Sequence, residues 1–226
     1  MVSSTLSGFS TSSGTYTNAT NTYQIGSGIV LSTGNVQDYG DGPNTSTSQT
    51  TNYATAATAA QTTLLNQISG ASSYFDVTQL DVNFTTSTGS VFFNVVFGSE
   101  EFPEFKNSTF IDAFGLFLDG TNIALFAGQP ININHPLMLA RAGTELDGVL
   151  PGNGGPMLFS AAGLSGGNHT LTFIIADRGD SSLDSTAYIA RLAGTAPPNS
   201  VPEPGSLALL GVGLAGLVAL RRKQRS

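Results

Sequence analysis

"SVFFNVVFGSEEFPEFKNSTFIDAFGLFL", residues 90–118, decides how this chain must fold. Its first ten residues, Ser90 to Ser99, are a nearly continuous run of β-branched and aromatic side chains. That pattern predicts a central strand buried on both faces. A loop carrying Glu100, Glu101 and Glu104 follows, then Asp112, then a second apolar run, Ala113–Leu118. The dipeptide Asp119-Gly120 predicts a tight hairpin turn, with Asn122–Phe126 as the returning strand.

The same period extends outward. Residues 75–86 alternate: Phe75 and Val77 against polar neighbours, then Leu80, Val82 and Phe84 against Asp81 and Asn83. Thr170–Ala176 and Ala187–Leu192 read as two more strands, joined by a second acidic loop with Asp177, Asp180 and Asp184. Ile29-Val30-Leu31 reads as a short strand. Between Tyr53 and Gly70 the spacing of Leu64, Leu65 and Ile68 changes to that of a helix, which Gly70 ends. Residues 1–24 are a polar segment with isolated aromatics, Phe9, Tyr16 and Tyr23; they suit either a first pair of strands or a mobile arm. Many short strands separated by turn residues predict an all-β fold, a jelly-roll-like β-sandwich with one short helix.

Composition narrows the function. Of 226 residues only 10% are charged, against roughly 25% in an average soluble protein; Ser, Thr, Asn and Gly take their place, as suits an extracellular β protein. The net charge is −7, yet four of the eight basic residues follow Leu220, which leaves 4 basic against 15 acidic residues before it, a balance of −11. Such a body repels phosphate backbones and attracts cations. No nucleic-acid partner is therefore expected. The chain has no cysteine, which excludes disulfides and thiolate-bound zinc. Stability must come from the core or from a bound metal.

The end of the chain, "VPEPGSLALLGVGLAGLVALRRKQRS" from Val201, is a separate unit. Its apolar run from Leu207 to Leu220 is shorter than the about 20 residues of a comfortable membrane span. The basic cluster Arg221, Arg222, Lys223 and Arg225 follows at once. Pro202-Glu203-Pro204, a short apolar segment and this basic stop resemble the PEP-CTERM sorting signal of exported proteins in Gram-negative bacteria. The resemblance implies a transmembrane helix that anchors transiently, and a membrane transpeptidase of the exosortase type as partner, which removes the tail. An isolated helix from about Gly205 to Arg222, packed on nothing, is expected. The opening "MVSSTLSGFS" lacks a basic n-region and a long apolar h-region, so export predicts a leader upstream of Met1. The domain plan is a polar segment (1–24), a β-sandwich domain (25–193), a Pro-rich linker (194–204) and the sorting helix with its basic end (205–226).

Four stretches carry a second resemblance: "GIVLSTG" (Gly28 to Gly34), "FGSEEF" (Phe97 to Phe102), "DAFG" (Asp112 to Gly115) and "ADRGDSSLDS" (Ala176 to Ser185). In this order they resemble the choice-of-anchor L domain family, whose members are joined to different surface anchors. The resemblance supplies no biochemical activity. Arg178-Gly179-Asp180 spells an adhesive tripeptide, but it coincides with the family motif.

The two acidic loops remain. Calcium takes six to eight oxygens from carboxylates, carbonyls and amides. If the loops meet in space, Glu100, Glu101, Asp112, Asp177, Asp180 and Asp184 are candidate ligands of one ion, and Ca2+ is the only cofactor the residues suggest. The competing reading makes them solvated loop charges, or carboxylates that cap backbone amides. No catalytic residue is assigned. Glu100 and Glu101 are neighbours, so on extended backbone they point to opposite faces; Glu101 with a carboxylate of the second loop could form a glycoside hydrolase pair. Ser99 lacks a nucleophile-elbow context, and His135 and His169 read as structural or exposed. The expected function is an exported, surface-sorted structural or adhesive protein of the bacterial envelope or extracellular matrix, stabilised by calcium, associated with glycan, with extracellular polysaccharide as partner. The alternative is a carbohydrate-active enzyme using the loop carboxylates.

Overall fold

The computed structural model describes residues 1–46 and 48–195. The sorting motif, the basic stop and the helix expected from Gly205 to Arg222 lie outside the described residues.

Among the described residues, thirteen strands form two antiparallel sheets. The first sheet runs β1 (Ser3–Ser7), β4 (Tyr74–Phe84), β12 (His169–Arg178), β6 (Ala113–Leu118), β9 (Gln129–Asn132), β8 (Leu125–Phe126), with β7 (Thr121–Asn122) also paired to β6. The second runs β10 (Gly148–Leu150), β5 (Ser90–Ser99), β13 (Ser185–Ala193), β3 (Gly28–Ser32), β2 (Ser13–Tyr16), with β11 (Met157–Ala162) continuing the edge of β5 that β10 begins. β5 is central and buried, as its composition requires. The segment 1–24 supplies a strand to each sheet, β1 against β4 and β2 against β3.

The sheets close over one core. Phe93, Val95 and Phe97 of β5 meet Phe114 and Leu116 of β6 and Leu171, Phe173 and Ile175 of β12. The Phe93 and Phe173 rings cross edge to face at 5.8 Å, a favoured aromatic arrangement. Because strand side chains alternate, the outer faces carry their own apolar residues. Tyr188 and Val96 lie on the outer face of the second sheet. Ala113, Phe117, Ile174 and Ala176 lie on the outer face of the first, under helix α1 (Ala59–Ser69).

The helix buries Leu65 and Ile68 and ends at Gly70, as its spacing requires, but it begins at Ala59 rather than near Tyr53. Two interactions set that start. Thr58 and Gln61 form a reciprocal capping box, which satisfies two orphan amides. Upstream, Asp76 accepts hydrogen bonds from the amides of Tyr53 (3.0 Å), Ala54 (3.3 Å) and Thr55 (2.8 Å), holding them in non-helical backbone. Asp76 sits in a bulge: Ile175 and Asp177 of β12 face Thr78 and Phe75 of β4, so β4 has one residue more, and Asp76 takes φ 49°. The bulge turns Asp76 and Thr78 inward and reverses the alternation expected at Phe75. Asp76→Ala would leave three amides without their acceptor and is expected to cost about 3 kcal/mol, read as a lower urea midpoint with an unchanged m-value. Gly115 is required by close approach: a Cβ there would lie 2.4 Å from Ile68 Cδ1. The glycine lets the helix sit directly on β6.

The hairpin at Asp119-Gly120 forms, with φ 50° and 82° at the two turn residues. Its return strand is only β7. Asn122 Oδ1 accepts from the Ala124 amide at 2.9 Å, which turns the backbone away, and Leu125–Phe126 pair with β9 instead. Side-chain capping of the local backbone overrides the expected five-residue strand.

Candidate functional site

The two acidic loops meet at one end of the sandwich. β13 lies beside β5 with Ser185 opposite Ser99, and the Glu100 amide donates to the Asp184 carbonyl at 3.0 Å. Asp112, at the entry to β6, spans the two sheets. It accepts from the Arg178 amide of β12 at 3.1 Å and from Ser185 Oγ of β13 at 2.9 Å.

The six candidate ligands have different fates. Asp184 accepts from the Thr51 amide, 3.0 Å from each oxygen, and from the Tyr39 hydroxyl at 3.2 Å. Glu100 accepts from the side-chain amide of Asn44 at 3.1 and 3.2 Å. Asp180 accepts only a long bond, 3.4 Å, from the Ser182 amide within its own loop. For Asp184 the amide-capping reading is the one that fits. Asp112, Glu101 and Asp177 are different. All three are buried, and Glu101 Oε2 and both carboxylate oxygens of Asp177 have no hydrogen-bond partner.

Burial dominates the electrostatics. It pushes the Glu101 carboxyl up to about 9, with the charges of Asp112 and Asp180 adding to the effect. It pushes Asp112 up to about 8, against the bonds from Ser185 and Arg178. Asp177 is raised well above the ordinary range, by burial first and by the Asp112 charge second; the Thr33 hydroxyl nearby opposes this but lies beyond a normal hydrogen bond. Glu100 rises to about 7 and Asp184 to about 6, both held lower by their hydrogen bonds. Among the described residues no Lys, Arg or His side chain forms an ion pair with any of these groups; the described ion pair, His169 with Asp119 at 2.7 Å, lies elsewhere. Arg178, next in sequence to Asp177, sends its guanidinium to the Thr109 carbonyl.

A buried carboxylate without donors must keep a proton or find a cation. Among the described residues no three or more Asp, Glu or His side chains already surround one point as a metal cage. Asp112, Asp177 and Glu101 would have to draw closer together, with neutral oxygens and water, to complete a calcium shell. A glycosidase role fits less well, because Glu101 and Asp112 are 1% and 0% exposed and a glycosidic bond has no approach to them. His135 is buried and structural: its Nε2 meets the Phe126 carbonyl at 2.9 Å, and its Nδ1 accepts from the Leu137 amide at 3.1 Å.

Sequence reasoning missed Asp76, and it missed a tyrosine group, Tyr16, Tyr23, Tyr39 and Tyr188, with Glu145. For Asp76 nothing local signals a bulge. For Tyr16, Tyr23 and Tyr39 the signal was their isolation in polar sequence, since a lone aromatic in such a stretch needs a distant surface to bury against; Tyr188 lay within an expected strand.

The described residues form a two-sheet β-sandwich with an acidic end. The chain belongs to the choice-of-anchor L domain family, whose model matches residues 1–138. A PEP-CTERM protein-sorting motif matches residues 200–223. Neither a curated protein nor a solved structure gives a significant match to the chain. The sorting motif marks the protein as exported, anchored transiently in the membrane, processed by exosortase, and delivered to the cell surface or the extracellular space. Neither family is a family of enzymes. Among the described residues no helix is long and apolar enough to cross a membrane.

Proposed function

We propose that this exported protein is a non-enzymatic structural or adhesive component of the envelope or extracellular matrix. One calcium ion stabilises it, and it associates with extracellular polysaccharide. The observation that carries the calcium reading is Asp177: it is wholly buried, and among the described residues neither carboxylate oxygen has a hydrogen bond of normal length and no side-chain cation pairs with it. Asp112, Asp177 and Glu101 are the ligands of this reading, and Asp180 flanks them. Glu100 and Asp184 already have donors. An ion there would join β12 and the start of β6, in one sheet, to the loop that leaves β5 in the other.

Export supports the reading, because extracellular calcium modules work with dissociation constants of about 10⁻⁴ to 10⁻³ M. Isothermal titration of the full chain with calcium is expected to show one site in that range. Asp177→Asn, which keeps the shape and removes the charge, is expected to abolish it. No bound calcium at millimolar concentration would sink the proposal.

A further inference from the structure

The outer face of the second sheet holds a cavity of about 60 Å³ lined by Tyr16, Tyr23, Tyr39, Tyr188, Asp41 and Glu145, together with Thr17 and Asn18; Tyr39 links it to the acidic end, where its hydroxyl donates to Asp184. Tyr188 and Tyr16 meet edge to face at 5.0 Å, and Tyr23 stacks on Tyr188 at 5.5 Å. Tyr188 donates its hydroxyl hydrogen to Glu145, a buried carboxylate. Tyr23 is 4% exposed, and its hydroxyl faces Glu145 and Thr144 without a hydrogen bond of normal length to either; the buried hydroxyl of Tyr16 has no partner. Arg141 lies over the Tyr23 ring at 5.8 Å but is not among the lining residues, and it donates to the Thr22 and Gly154 carbonyls. The cavity is thus walled by aromatic rings, two unused hydroxyl oxygens, two carboxylates and the neutral polar Thr17 and Asn18, with no positive group among its lining residues.

The complementary ligand is a compact cation rich in donors. A primary ammonium has three N–H groups and no acceptor, which matches the oxygens of Tyr16, Tyr23 and Glu145. Ring faces attract it further. A bare metal ion would waste the rings. The volume suits the ammonium and excludes a sugar ring. Beside it lies a second cavity of about 300 Å³, which shares Tyr39, Asp41 and Glu145 and is otherwise lined by polar groups including Asn44, Thr45, Ser46 and Gln49. That lining suits a polyhydroxylated body and would strand the aliphatic stem of a lysine.

We propose that these joined cavities bind an amino sugar of a cationic polysaccharide, with its free ammonium among the tyrosines and its ring in the polar cavity. The inference rests on the polysaccharide reading above and names the chemistry of the glycan; it is independent of calcium. The probe is glucosamine at a pH where its amine is charged, titrated calorimetrically into the full chain. Glucosamine is expected to bind at least about tenfold more tightly than N-acetylglucosamine or n-butylammonium. Tyr23→Phe should weaken it about tenfold while leaving the melting temperature unchanged or raised, because the lost hydroxyl has no partner to abandon. Glu145→Gln, which keeps an acceptor for Tyr188, should weaken it similarly. Equal binding of the acetylated sugar, equal binding of butylammonium, or no binding would each overturn the inference. Co-sedimentation separates it from its parent: retention on cellulose but not on chitosan removes the amine and leaves the polysaccharide, and retention on neither removes both.

Discussion

Chelating calcium is expected to lower the melting temperature of this protein by about 5–10 °C at pH 8, relative to protein held at 100 times its calcium dissociation constant. A ligand at that excess, binding only the folded state, contributes about 2.7 kcal/mol. In domains of 150–250 residues each kcal/mol moves the midpoint by about 2–4 °C. The dependence on pH separates this from a general salt effect. In chelated protein, Glu101, Asp112 and Asp177 have folded pKa values raised above their unfolded ones. The folded state then binds more protons than the unfolded state. Stability is fully present below the ordinary carboxylate range of about 4 and is lost as pH rises toward the folded values, about 8 and about 9 for Asp112 and Glu101. The slope is about 1.4 kcal/mol per pH unit for each group still protonated only in the fold. Calcium holds the same groups ionised and removes that loss. The gap between the two melting curves should therefore widen from pH 5 to pH 8. Coincident curves at pH 8 would show that the buried carboxylates hold protons and no metal.

Gly34→Ala is expected to destabilise the domain by about 3 kcal/mol, or about 6–12 °C. The cause is contact rather than conformation. A Cβ at position 34 would lie 1.7 Å from Asp184 Oδ2 and 2.1 Å from its Cγ. Asp184 would have to leave, and with it go both bonds from the Thr51 amide and the one from Tyr39. A buried charge and a buried amide would lose their partners together. Urea denaturation of the double variant tests the mechanism. In an Asp184→Ala background, Gly34→Ala should cost little further, so the two losses should fall well short of adding. Full additivity would place the damage in the backbone of the loop instead.

This glycine shows how far the sequence could be read. The last glycine of "GIVLSTG" and the last aspartate of "ADRGDSSLDS" both belong to stretches that resemble the family. Nothing in either stretch says that they touch. The meeting of the two acidic loops was legible, because each follows a strong strand and such loops gather at the ends of a sandwich. The sorting of the carboxylates was not. Asp177 and Asp184 are the same residue type in the same loop, yet one has three donor contacts and the other none. The difference comes from Thr51, 133 residues away from Asp184. The early end of the hairpin, at Asn122, and the late start of the helix, at Ala59, have a similar origin. In each case a polar side chain claims backbone groups that periodicity alone had assigned to regular structure.

By itself the sequence determined the β class, the central place of Ser90–Ser99, the site of the helix and the export tail. These follow from local periodicity, turn residues and an ordered linear motif, all of which act over a few neighbouring residues. Only the tertiary structure decided that residues 1–24 give one strand to each sheet, that Asp76 caps the approach to the helix, that Asp177 is buried without a donor, and that four scattered tyrosines enclose one cavity. Each of these depends on which distant groups share a desolvated space, and the free energy of a buried polar group is set by those neighbours rather than by its own residue type.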